Sequence, residues 1–278
     1  MKKQKLKVGF YGITGCAGCL LSVFFEDCFK QIVELLDIKS FPLIKEDSYK
    51  GDFDYVFIEG TVCFDDDILK LNELRKRSKY IVALGACSCV GGVPTMKNFL
   101  DQKNLLVGSQ GFLDDREQNS RHNEKTMKSV YPVYNHLKST SPSPIDMHIK
   151  VDYYIPQCPP NKEEIVEFVK CIATGREFKP CREPVCYECR RKSNSCILEK
   201  GEICLGPITN GGCGALCPMN DTKCYGCRGP CKDANLKEYK DMLMQMGYTK
   251  EDMQDKMKTF CGLQFREQTG DILEWSVK

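Results

Sequence analysis

The chain has 278 residues, enough for one large or two modest domains with a real core. A net charge of +2, with 28% charged residues, gives no electrostatic basis for binding nucleic acid or a membrane surface. Nineteen residues are cysteine, an odd number that disulfides cannot pair completely.

The opening "MKKQKLKVGFYGITGC" imitates an export signal, but its apolar run is short, alternates with polar residues and ends in Gly and Cys. It shows no cleavage signature and no twin-arginine pair, so Leu6–Tyr11 reads as a first strand and the protein as cytoplasmic. No run approaches the ~20 apolar residues of a membrane span. A cytosol keeps thiols reduced, which puts metal or cluster ligation ahead of disulfides.

Leu20–Leu36 carries Val23, Phe24, Cys28, Ile32, Leu35 and Leu36 at helical spacing. Tyr55–Gly60 is a buried-type strand. The helix from Asp65 to Ser78 has acids first and bases last, matching the macrodipole. Tyr80–Cys87 is another strand. Lys97–Ile145 is irregular and reads as a surface insertion, with His122, His136 and His148 in or near it as surface residues. Ile149–Ile155 is a last strand, and the helix after Pro159 stops at Gly175. Strands separated by helices predict a parallel sheet for an α/β domain over residues 1–178.

Composition changes after Lys179, and residues 179–278 read as a second domain. Ten cysteines lie from Cys181 to Cys231 among Gly and Pro with few large apolar residues, so something covalent or metallic must organise the segment. Two helices close the chain: "LKEYKDMLMQMG", then "TKEDMQDKMKTFCG" with Thr249 and Asp252 as a capping box. Gly247 and Gly262 are the expected stops.

Four cysteines follow strands. Cys16 and Cys19 form C-x-x-C after the first, Cys87 ends "YIVALGAC", and Cys158 follows the last in "QCPP". The carboxyl ends of parallel strands share one edge, so these thiols converge and could hold a zinc ion or a cubane iron–sulfur cluster. Gly12, Gly15, Gly18, Gly85, Gly91 and Gly92 admit a bulky group and favour the cluster; a redox C-x-x-C with two unrelated cysteines is the bland alternative. Cys28 and Cys171 read as core residues, Cys63 as an outer group at the same edge, and Cys89 as a competitor of Cys87.

The motifs "GCAGC", "IEG", "GACSCVGG" and "QCPP", in this order, resemble the small subunit of nickel–iron hydrogenases. The run from "PVCYEC" to "CYGCRGP" is similar to the cytoplasmic subgroup of sulfhydrogenase delta and viologen- or deazaflavin-reducing hydrogenase subunits. The resemblance spans the chain except Lys97–Ile145. It implies a flavodoxin-like parallel-sheet N-terminal domain, a cysteine-rich iron–sulfur C-terminal domain, and a proximal 4Fe–4S cluster on Cys16, Cys19, Cys87 and Cys158, with Cys89 excluded. The quinone-reductase subunit of respiratory complexes shares some of these elements but has adjacent cysteines where Cys16 and Cys19 are separated here.

Nine cysteines remain from Cys186 to Cys231, one more than two cubanes need. They divide either in sequence or in a ferredoxin-like crossing. The family order favours the sequential division: Cys186, Cys189, Cys196 and Cys204 for a distal 4Fe–4S cluster; Cys213, Cys217, Cys224 and Cys227 for a medial one; Cys231 spare. Two zinc ribbons are the alternative. The resemblance thus implies a subunit with three 4Fe–4S clusters that relays electrons. They would run from a nickel–iron site in a separate large subunit to a flavin or iron–sulfur partner. Rivals are a quinone-reductase-type subunit and a zinc-stabilised scaffold. Glu59 is read as a structural carboxylate, with a proton route as its alternative.

Overall fold

A computed structural model describes residues 4–44, 48–100 and 141–275. Five parallel strands form one sheet: β1 (Leu6–Gly12), β2 (Leu36–Ser40), β3 (Phe53–Glu59), β4 (Ser78–Leu84) and β5 (Tyr153–Ile155), in the order β2-β1-β3-β4-β5. This is the flavodoxin-like order, whose switch point lies between β1 and β3.

The strands are nearly continuous apolar runs because both faces are covered. Val8 and Phe10 of β1, Tyr55 and Phe57 of β3, and Val82 and Leu84 of β4 face one layer. That layer holds α1 (Gly18–Phe24), α2 (Glu26–Leu35) and α5 (Lys162–Thr174). Phe10 stacks on Phe57 with centroids 4.6 Å apart, and Phe168 of α5 meets Phe57 edge-on at 5.7 Å. The intervening residues Tyr11, Val56, Ile58, Ile81 and Ala83 face the other layer.

That second layer contains α3 (Asp65–Lys76) and the short α4 (Ala86–Val90). Against it pack two C-terminal helices, α8 (Leu236–Gln245) and α9 (Lys250–Leu273), so Leu243, Met257 and Phe265 share one core with Ile58 and Leu71. The cysteine-rich segment that precedes them in the chain has two short helices, α6 (Val185–Arg191) and α7 (Leu216–Met219). Its own buried cluster is small: Val185, Ile197, Cys204, Ala215 and Cys224.

Several expectations shift. The helix expected over Leu20–Leu36 breaks at Phe25, which is extended (φ −61°, ψ 138°), and Leu36 opens β2 instead of closing the helix. The break seats Phe25 under Lys162, whose Nζ lies 3.5 Å from the ring centroid. The last strand is Tyr153–Ile155 rather than Ile149–Ile155, and the strand expected to reach Cys87 ends at Leu84. Gly262 is not a stop. The final helix kinks at Cys261 (φ −138°, ψ 41°) and continues to Leu273, with Gly262 marking a close approach to Phe99. Gly175 and Gly247 do end helices with positive φ, and the Thr249–Asp252 capping box is present. Most of the Lys97–Ile145 insertion, with His122 and His136, lies outside the described residues. His148 is half-buried with Nε2 2.7 Å from Ser143 Oγ. Among the described residues, no helix is long and apolar enough to cross a membrane.

Candidate functional site

The first group of thiols forms where three strand ends meet. Cys16 and Cys19 lie in the turn from β1 into α1, Cys87 in α4 after β4, and Cys158 after β5. A charge on Cys19 would be repelled by Glu59, Cys87, Cys158 and Cys16, so the four thiols share one space. Burial pushes the Cys19 and Cys158 thiols up and takes Cys87 to about 11. Thiols held neutral by burial ionise when metal supplies the opposing charge.

Backbone clearance fits a bulky group. A Cβ on Gly85 would collide with Cys19 Sγ, and one on Gly92 would stand 2.6 Å from Cys87 Sγ. Glu59, buried at the end of β3, accepts from Cys19 N (2.9 Å) and Leu20 N (3.1 Å), which is the structural reading of this carboxylate. Thr61 Oγ1 donates to Gly91 O at 2.8 Å and Cys87 O at 3.3 Å, fixing the turn that carries Cys87. Asp67 was not singled out in the sequence. Its carboxylate accepts from Thr14 N and Oγ1, Cys63 N and Phe64 N, and so ties the Cys16 turn to the start of α3. Cys63 therefore faces Asp67. Cys89 is buried, donates to Ala83 O (3.4 Å), and its nearest influences are Arg228, Asp146 and Glu164.

Two further groups form in the cysteine-rich segment. Cys186 is acted on by Cys204, Cys189 and Cys196, and burial takes its thiol to about 12. Cys227 is acted on by Cys213, Cys217 and Cys158, and Cys224 by Cys204, Cys227 and Cys213. Cysteines within each sequential set act on one another, but Cys204 also acts on Cys217 and Cys224, so the two sets abut. Cys224 N donates to Cys204 Sγ at 3.3 Å, and the Cys158 backbone hydrogen-bonds the Cys227 sulfur. A Cβ on Gly206 would stand 3.2 Å from Cys186 Sγ and 3.5 Å from Cys204 Sγ.

Backbone groups also reach these sulfurs: Gly206 and Cys224 at Cys204, Ala215 and Leu216 at Cys213, Gly226 at Cys224. Donors aimed at thiolates and cleared space beside them are what an iron–sulfur cluster needs. A single zinc would draw four sulfurs to about 3.8 Å of one another. Among the described residues no three Cys, His, Asp or Glu side chains are close enough to grip one metal ion. A cavity of about 870 Å³ opens between Cys158 and Cys213, lined also by Phe25, Pro159, Lys162 and Leu216.

Cys28 and Cys171 are buried on helix faces, as core residues. Cys231 lies apart from the medial group; Cys181, Asp233 and Glu183 act on it, and its thiol reaches Arg182 O at 4.0 Å. Cys261 was missed. It is fully buried, donates to Gly226 O at 2.9 Å and lies beside Cys227; its only sequence signal was a cysteine within a helical pattern.

Residues 16–172 match a family model described as NADH ubiquinone oxidoreductase, 20 Kd subunit. A sulfhydrogenase 2 subunit delta of Pyrococcus furiosus is 32% identical over 258 residues, 92% of this chain and 99% of that one. The chain belongs to that family. Within it, the chain is of the hydrogenase small-subunit type, a subunit of an oxidoreductase. A vhu subunit of the F420-non-reducing hydrogenase of Methanocaldococcus jannaschii is 30% identical over 244 residues, 81% of this chain and 82% of that one. An actinobacterial-type NiFe-hydrogenase from Ralstonia eutropha superposes with a TM-score of 0.55 at 14% identity, over 99% of this chain and 93% of that one, and shares its fold. The family model ends at residue 172, before the two later thiol groups, whereas the match to the sulfhydrogenase subunit covers 92% of the chain.

Proposed function

We propose that this small subunit is the electron-transfer chain of a nickel–iron hydrogenase and holds three 4Fe–4S clusters. Cys16, Cys19, Cys87 and Cys158 would hold the proximal cluster. Cys213, Cys217, Cys224 and Cys227 would hold the medial one, and Cys186, Cys189, Cys196 and Cys204 the distal one. When bound, such clusters supply one-electron transfer between the large subunit's metal site and a flavin or iron–sulfur acceptor subunit. The chain's own residues set the thiolates, clear backbone from them and aim N–H donors at them. A reducing cytoplasm would keep the thiols free to take iron.

One observation carries this reading. Taken as three groups of four, the thiols lie in series: the Cys158 backbone hydrogen-bonds the Cys227 sulfur, and Cys224 N donates to Cys204 Sγ. A structural metal needs no such continuity, whereas electron transfer does. The test is iron and acid-labile sulfide on the anaerobically purified complex. About twelve irons with matching sulfide per chain is expected; zinc without sulfide would overturn the reading. Cys224→Ser should cost about four irons, and Cys231→Ser, whose neighbour is Cys181, none.

A further inference from the structure

The sequence "CRGP" places Arg228 directly after Cys227, and the fold buries it. Its side chain is 1% exposed and Glu164 beside it 9%. Nη1 and Nη2 form a two-pronged pair with the Glu164 carboxylate at 2.7 and 2.8 Å. Nη1 also reaches Gln157 Oε1 (3.3 Å) and Pro156 O (3.4 Å), and Nε donates to Gly211 O. The guanidinium thus binds the backbone just before Cys158 and just before Cys213 while hanging from the residue after Cys227. It sits where the first and second thiol groups meet.

A buried charge pair pays desolvation that apolar residues of equal volume would not. If holding this joint were the whole task, an apolar contact would hold it with less penalty. What only the cation offers is its field. Cys213 and Cys227, once ionised, are among the groups whose charge acts on it. Reduction adds one electron to a cluster held by four thiolates, making it more negative, and a fixed cation nearby favours that state. Glu164, paired with Arg228, opposes this; so does Glu188, which accepts from Gly212 N (2.9 Å) and lies 3.8 Å from Cys213 Sγ.

Resting on the three-cluster reading, we propose that Arg228, poised by Glu164, is a positioning residue that raises the reduction potential of the medial cluster. It also locks the Cys158 loop to the Cys213 and Cys227 loops. The test is an EPR-monitored redox titration of the whole complex, taking as medial the signal that Cys217→Ser alters. Arg228→Gln should lower the medial reduction equilibrium about tenfold, about 59 mV for a one-electron couple, and Arg228→Lys should restore most of it. Glu164→Gln, which frees the cation, should move the potential the opposite way. Opposite signs are what a structural role would not produce. Should Arg228→Gln fail to fold, Glu164→Gln decides alone: an upward shift supports the role, and an unchanged or lowered potential overturns it. Iron-loaded variants that keep the wild-type potential, or move together, overturn the arginine's role only. A wild-type chain without labile sulfide overturns the cluster reading with it.

Discussion

Asp67 gathers backbone and hydroxyl donors from Thr14, Cys63 and Phe64 onto one carboxylate at 9% exposure. Removing it strands several partly buried donors, which costs about 1–3 kcal/mol. Asp67→Ala should lower the urea midpoint accordingly and loosen the Cys16 turn enough to reduce bound iron. Cys28 and Cys231 lie outside the proposed ligand sets, and burial lifts both from the ordinary 9.0 to about 11. Their folded state prefers the neutral thiol, while the unfolded chain ionises near pH 9. Their contribution is therefore complete below about pH 9 and lost as pH rises toward about 11. The anaerobic urea midpoint should hold from pH 7 to 8.5 by this reasoning and fall by pH 10.5, with Cys28→Ala flattening part of the fall (window of order two pH units).

At the scale of elements, the final helix shows how one glycine can mislead. Sequence spacing made Gly262 a stop, but its meaning is lateral: a Cβ there would stand 2.5 Å from Phe99, which is held between Arg266 and Trp275. The kink at Cys261 turns its thiol onto Gly226 O and keeps the helix on the sheet's core. Gly262→Val barely changes helix propensity, so overpacking against Phe99 should dominate and cost about 1–3 kcal/mol by thermal or urea unfolding. The break at Phe25 is similar in kind. Periodicity continued through it, and the ring's seat under Lys162 ended the helix.

For the whole molecule, the sheet and the two C-terminal helices share one core, whereas the separate buried cluster of the cysteine-rich segment has only five residues, the segment's Ile203, Leu205 and Ile208 belonging to the shared core. Iron stripped by a chelator should therefore expose that segment first. Limited proteolysis is expected to cut within 181–231 while the sheet persists, and a segment left uncut after iron removal would show that it does not depend on metal. The two-one-three-four-five strand order explains why thiols 142 residues apart, Cys16 and Cys158, meet: both follow strands whose carboxyl ends share an edge.

Much of this was legible in the chain. Buried strands announced themselves as apolar runs, capping residues marked helix starts, and cysteines following strand ends had one edge at which to converge. Spacing left the later cysteines open to a sequential or a crossed division, because neighbouring C-x-x-C pairs can serve either of two adjacent sites; the family resemblance favoured the sequential one. Strand β2 was hidden, since Leu36–Ser40 alternates polar and apolar residues directly after a helical pattern. The roles of Asp67, Cys261 and Arg228 were hidden too, because each acts on backbone distant in sequence. A charge beside a cysteine does not reveal whether it meets water or a buried carboxylate. Local pattern determined most of the strands, the caps and the close cysteine pairs; packing of the cysteine-rich segment onto the sheet decided which thiols neighbour which in space and the burial of Arg228 among them, since long-range contacts leave no periodic trace.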